Sequence, residues 1–340
     1  MHKYFVARDV AGQCHASTVG TMGGSFVVAW FQGDHEGALN SRIWLTRGQP
    51  KDWVPPSVVS GDLAPCWNPV LHAQISGSLL LYFKVGPTIS SWRTFLSASA
   101  DGGVTWSDAR PLTASGVGGR GPVRTPPLRL RSTRLLAGAS TETWGDSPHW
   151  DAFVDISDDD GFTWTRAANI EIDHETFPGA GIIQPTLWQT PGDDIHLLAR
   201  STAGQLVRSS SSDDGRTWSP GVLSGVPSNN SGISACGLDG AVYLAHNPAS
   251  GNWAARAPLV VSRSRDDGAT WQRWVILEPS LGAVGGEGYR PADSGVLTTG
   301  ANEFSYPCLI GTPNGLAVTY TWQRRGIVLA LLDPATEGDR

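Results

Sequence analysis

The sequence predicts an all-β chain folded as a six-bladed β-propeller with four-stranded antiparallel blades, and three observations predict it. The octet Ser-x-Asp-x-Gly-x-Thr-Trp occurs four times, ending at Trp106, Trp164, Trp218 and Trp271, with spacings of 58, 54 and 53 residues. A fixed period of this length marks a solenoid or a propeller. Between the octets lie short β-rich runs such as SLLLYFKVG, HLLARST and AVYLAHNP, separated by Gly, Pro, Asp and Asn turns and free of any sustained helical period. The composition agrees: 41 Gly, 23 Pro and 15 Trp in 340 residues suit many short strands joined by tight turns.

The elements follow in order. Counting back 53 residues from Trp106 reaches Trp53 in TRGQPKDW, an octet that has lost its Ser, Asp and Thr, so a blade precedes the first intact octet. The four intact octets mark four further blades. Beyond the last, PCLIGTPNGLAVTYTW and GIVLALLD supply three strands of a sixth blade that lacks an outer strand. The amino-terminal HKYFVAR is free to provide it, and that pairing would close the ring and remove an exposed sheet edge. No shift in composition marks a boundary, so residues 1–340 are expected to form a single propeller domain.

The acidic octet invites a calcium reading, which its spacing rejects. A calcium loop opened by Asp155 would need Gly at 160 and Glu at 166, where the chain has Asp and Arg. A structural role accounts for each letter. Ser and Asp bond to backbone N–H groups in a turn, Gly permits positive φ, Thr starts the outgoing strand, and Trp packs between neighbouring sheets.

The net charge of −6 argues against nucleic acid or an anionic membrane as the partner, so an anionic ligand would require a local arginine cluster. The start of the chain has no apolar leader, and no run is long enough to span a bilayer. Cys14, Cys66, Cys236 and Cys308 show no CxxC pairing and head apolar runs, which suggests buried free thiols and a cytoplasmic protein, or a secreted one if a signal has been removed. No metal constellation and no cofactor motif is apparent.

Repeated around six blades, this octet resembles the Asp-box of the sialidase (neuraminidase) superfamily. The resemblance implies a site of three arginines that hold a sugar carboxylate, a tyrosine nucleophile assisted by a glutamate, and an aspartate acid/base. Arg200, near the end of a second strand in QPTLWQTPGDDIHLLARS, and Arg256, eight residues before Ser264, match two of the arginines. Tyr306 in FSYPCLIGTPNG matches the tyrosine. Arginine suits the task because its planar fork makes two parallel charge-assisted bonds to a carboxylate.

Two family groups are replaced. Blade 1 reads GQCHASTVG where an arginine is implied, and Gln184, sixteen residues before Arg200, stands where the glutamate should be. Glutamine can orient a phenol but cannot act as a base. Asp34, His35 and Glu36, in the loop where the acid/base aspartate arises, are candidate acids, and His15 joined to His35 would offer a general acid/base near neutral pH. Asn68, Lys84, Glu142, Asn230 and Glu303 recur at comparable blade positions and are candidate pocket-lining groups, and Trp67, Trp92, Trp144 and Trp150 could stack on sugar faces. The expected partner is an acidic glycan or oligosaccharide, and the expected activity is that of a sialidase-like glycoside hydrolase on a terminal acidic sugar. A uronate-directed glycosidase or polysaccharide lyase, and a non-catalytic binding propeller, remain as alternatives.

Overall fold

A computed structural model describes residues 1–114, 118–281 and 289–335. Six antiparallel sheets succeed one another along the chain, each with its first strand innermost. The first strands are Gln13–Met22, Cys66–Ala73, Leu128–Arg129, Ile182–Gln189, Ser234–Leu238 and Phe304–Thr312. The sixth sheet runs from Phe304–Thr312 through Gly315–Trp322 and Gly326–Leu332, and its outer strand is the amino-terminal His2–Arg8. The ring therefore closes as the sequence predicts, with the first strand of the chain covering the edge of the last blade.

The octets occupy the turns between third and fourth strands and serve as staples. In the third octet, Ser211 Oγ donates to Asp213 Oδ1 at 2.8 Å and accepts from the Gly215 amide at 3.0 Å. Both carboxylate oxygens of Asp213 are spent, one on the Thr217 amide at 2.9 Å and the other on the Thr217 hydroxyl at 2.6 Å. Trp218 Nε1 closes the turn on the Gly215 carbonyl at 3.0 Å. Glycine is needed twice over at Gly215: its φ is +79°, and a Cβ there would lie 2.7 Å from Leu136 Cδ1 of the preceding blade. The core itself lies between blades; Trp164, for example, packs with Val70, Leu80, Tyr82, Leu112 and Leu135.

One irregularity positions the site. Four of the innermost strands carry the same β-bulge, in which three steps along the inner strand face two on its neighbour: His15/Thr18, Trp67/Val70, Ile183/Thr186 and Ser305/Cys308. Each bulge holds a non-glycine residue at positive φ: Ala16 at 54°, Asn68 at 39°, Gln184 at 53° and Tyr306 at 51°. A bulge re-aims a side chain at the cost of a ladder bond, and a left-handed non-glycine residue costs about 1–2 kcal/mol. The carbonyls freed in this way find partners near the axis. Arg124 donates to Ser17 O at 3.3 Å, to Pro307 O at 2.9 Å and to Tyr306 O, while Thr125 Oγ1 donates to Pro185 O at 3.2 Å.

Candidate functional site

The loops between second and third strands lie at the bulged end of the blades, and they deliver charge. Arg200 ends the second strand of blade 4, Arg256 follows that of blade 5, and Arg324 follows that of blade 6. All three are nearly inaccessible, at 2, 2 and 1 % exposure. From the same position in blades 1 and 3 come Glu36 and Glu142, also buried.

The three arginines and Glu36 join a bonded cluster beside Tyr306. Arg200 Nη1 donates to the Tyr306 hydroxyl at 2.8 Å and to Gln184 Oε1 at 3.2 Å, while its Nε is held by Asn230 Oδ1 at 2.9 Å. The Arg256 and Arg124 guanidinium carbons lie 5.4 and 5.1 Å from the Tyr306 ring centre, and the His15 ring lies 4.2 Å from it. Glu303 Oε1 accepts from Arg256 Nη1 at 2.8 Å, Arg324 Nε at 2.9 Å and the Ser305 hydroxyl at 2.7 Å. Arg324 Nη1 reaches Glu36 Oε2 at 2.6 Å. Four guanidiniums (Arg124, Arg200, Arg256, Arg324) face two paired carboxylates (Glu36, Glu303), an excess of two positive charges inside a chain of net −6. A positive cluster of this kind attracts anions.

Proton affinities follow from these neighbours. Burial alone would raise the Glu303 carboxyl, but the Arg324 and Arg256 guanidiniums and the Ser305 hydroxyl outweigh it and hold the group below its usual range. Burial, then Arg324, Arg256, Arg124 and Arg200, push His15 well below the ordinary imidazole value, so it stays neutral. Burial pushes Glu142 up to about 7 although Arg200 pulls the other way. Among the described residues its buried Oε1 has no hydrogen-bond partner. Glu303→Ala would strip Arg256 of its buried counter-ion and leave Arg324 with Glu36 alone, a loss of about 3–5 kcal/mol that urea denaturation at pH 7 would show. The depressed carboxyl contributes this stability above about pH 4.5, its unperturbed value, and the contribution is lost as pH falls through the lower folded value. Wild type and variant should therefore converge in acid.

The structure brings together Arg200, Arg256, Tyr306, Gln184, His15, Glu36, Asn230 and Glu303. Asn68 is buried at the equivalent bulge of blade 2. Four expectations need correction. Asp34 and His35 are exposed on the turn; the Asp34 amide bonds Asn40 and the His35 ring bonds the Glu36 carbonyl, and among the described residues neither is bonded to the arginine cluster. Glu36 does reach the cluster, but as the counter-ion of Arg324. His15 does not join His35, because it is wholly buried with Nδ1 against Thr321 Oγ1 at 2.9 Å, and burial, reinforced by its arginine neighbours, denies it a proton near neutral pH. Lys84 does not line the funnel. Its ammonium is buried in the seam between blades 2 and 3, held by Thr94 Oγ1 and the carbonyls of Arg120 and Pro122.

Of the tryptophans, Trp67 and Trp92 pack together, whereas Trp144 and Trp150 form a wall with Trp253, whose ring lies 5.9 Å from the Arg200 guanidinium. A hairpin of Arg290–Ala292 and Gly295–Leu297 between blades 5 and 6 crosses to blade 2, where Asp293 accepts the Ser90 and Ile89 amides at 2.7 Å each. It begins beside Tyr289, which stacks 4.7 Å from Arg256.

Arg124, Arg324 and Tyr289 were not expected. For Arg324 a signal exists, since it stands at the same place in its blade as Arg200 and Arg256. A second signal marks three of the four bulges: x-Pro-x-Leu recurs as NPVL from Asn68, QPTL from Gln184 and YPCL from Tyr306, whereas the bulge of blade 1 reads ASTV from Ala16.

Comparison with known proteins agrees with this architecture. The chain matches the BNR repeat-like domain over residues 24–318. It belongs to the BNR repeat-like family. It is 29 % identical over 216 residues to mouse Sialidase-4, a stretch covering 53 % of this chain and 42 % of that protein. The chain thus spans about two fifths of the length of this curated relative. Its fold is similar to a protein of unknown function from Dyadobacter fermentans (TM-score 0.73, 17 % identity, 98 % of each chain covered). It is also similar to the sialidase of Trypanosoma rangeli in complex with the inhibitor DANA (TM-score 0.66, 13 % identity, 94 % of this chain and 55 % of that one). At these identities the likeness shows a shared BNR propeller fold.

Proposed function

We propose that this chain is a sialidase-like glycosidase acting on the terminal acidic sugar of a glycan. The observation that carries the proposal is the trio Arg200, Arg256 and Arg324, delivered by consecutive blades around Tyr306. Among the described residues, the buried Arg256 Nη2 and Arg324 Nη2 have no acceptor. A buried donor left unmade costs about 1–3 kcal/mol, and a sugar carboxylate would satisfy both. In this proposal Arg324, entering from blade 6, takes the place of the arginine missing from blade 1. Glu303 ties it to Arg256, and Asn230 fixes the angle of Arg200. Tyr306 is the nucleophile, with Gln184 and Arg200 orienting its phenol oxygen. Glu142 protonates the leaving oxygen, because among these carboxyls it is the one whose proton affinity suits an acid near neutral pH. The mouse relative and the structural neighbours named for sialidase activity support the substrate class.

Purified protein should release the fluorophore from an α-sialoside. Arg324→Ala should raise KM about 10- to 100-fold through loss of one charge-assisted contact. Absence of both turnover and sialic acid binding would overturn the proposal. Gln184 favours a second reading, since among the described residues no carboxylate is bonded to the phenol: β-elimination from a uronate held by the same arginines. Unsaturated products from uronate glycans, without sialoside turnover, would select it.

A further inference from the structure

Away from Tyr306, at the outer side of the aromatic wall, two imidazoles and a carboxylate converge. We propose that His149, Asp151 and His174 form a binding site for one divalent transition-metal ion, Zn2+ above all. Their ligand atoms all lie within 4.8 Å of one another. His149 Nε2 is 3.2 Å from Asp151 Oδ2, and His174 Nε2 is 3.1 Å from Asp151 Oδ1. The two imidazoles stack, with centroids 3.8 Å apart and planes 26° apart.

Two features point to a metal rather than to two independent ion pairs. Zinc bonds of about 2.0–2.1 Å in a tetrahedron place neighbouring ligand atoms about 3.3 Å apart, close to both observed nitrogen–oxygen separations. The two histidines also come from separate elements that are each held in place. His149 begins the third strand of blade 3, its backbone bonded on both sides to Thr143 Oγ1. His174 sits in the connection to blade 4, in a turn that Asp173 caps through the Glu175 amide and the Thr176 hydroxyl.

Access and charge agree. An open groove lined by Asp151, Glu171, Asp173 and His174 runs beside the trio, and its carboxylates attract cations. Two nitrogens and one carboxylate favour zinc over calcium or magnesium, which take oxygen ligands. Three protein ligands leave a fourth position open, and the half-exposed His149 places it toward solvent. The site braces the substrate wall. Trp150 lies between His149 and Asp151 in sequence and packs on Trp144 and Trp253. Gly181, which leads into Gln184, passes so close that a Cβ would lie 2.2 Å from the Trp150 carbonyl and 3.0 Å from His174 Cε1.

The test is a titration of the untagged full chain, stripped of metal with EDTA, with Zn2+ alone at pH 7.5. One equivalent should bind, the melting temperature should rise with it, and Co2+ should give the visible absorption of a four- or five-coordinate nitrogen–oxygen site. His149→Ala, which removes an exposed side chain, and His174→Ala should each weaken Zn2+ binding at least about 30-fold. The melting temperature of each metal-free variant, compared with metal-free wild type, reports its folding separately. Absence of stoichiometric binding to the wild-type chain would overturn the proposal. So would binding that persists unchanged in both folded histidine variants, since the ion would then lie elsewhere.

Discussion

Tyr306→Phe should lower sialoside turnover by on the order of a thousandfold or more while leaving the protein folded and KM little changed. The phenylalanine ring keeps the 4.2 Å contact with His15 and the guanidinium contacts of Arg124 and Arg256. It also keeps a backbone already pinned at φ 51° by the bulge and by Arg124. What it loses is one oxygen, the acceptor of the 2.8 Å bond from Arg200. That single bond is worth about 1–3 kcal/mol of stability, and Arg200 retains Asn230 and Gln184 as partners. The arginines that would hold the carboxylate are untouched, so binding should survive. Sialic acid affinity measured on the inert variant separates this outcome from collapse of the site. A variant that turns over normally would remove Tyr306 from the chemistry.

The architecture was legible because the octet is a local device. Ser, Asp, Gly, Thr and Trp bond within one turn, so each copy reports its own blade, and their period counts the ring. The site was legible in part. Arg200, Arg256 and Tyr306 could be placed by their phase relative to the boxes. Arg324 was missed because the resemblance directs attention to blade 1, although the position after a second strand is shared by all three arginines. Arg124 carries no such signal. Its role is to satisfy carbonyls that the bulges of blades 1 and 6 expose, a demand that exists only once the blades are assembled. Lys84 and His15 failed for a related reason. A polar residue next to an inner strand can face the funnel or a seam between blades, and burial, which sequence does not display, decides its charge. The trio His149, Asp151 and His174 escaped notice because its third member lies 23 residues beyond Asp151.

Glu142→Gln should make the protein more stable and lower the proposed sialidase activity, and the pH dependence of each effect distinguishes the cause. The folded carboxyl titrates at about 7, because burial penalises its charged form, against an ordinary value of 4.5. A raised carboxyl costs nothing below pH 4.5, where both folded and unfolded chains hold the proton. The penalty grows as pH rises from 4.5 to about 7 and is constant above, at up to about 3 kcal/mol. Glutamine does not titrate, so the variant should match wild type at pH 4 and exceed it by one to about three kcal/mol at pH 8, read from urea midpoints. Activity should move the other way. Without the proton donor, turnover of a sialoside with a sugar leaving group should fall about 10²- to 10⁴-fold. For a phenolic leaving group, which departs without protonation, the loss should be much smaller. The alkaline limb of the wild-type pH profile, set by loss of this proton near pH 7, should disappear with the side chain. If both leaving groups suffer equally while stability rises as described, Glu142 is a buried acid of the funnel wall and the proton comes from another group.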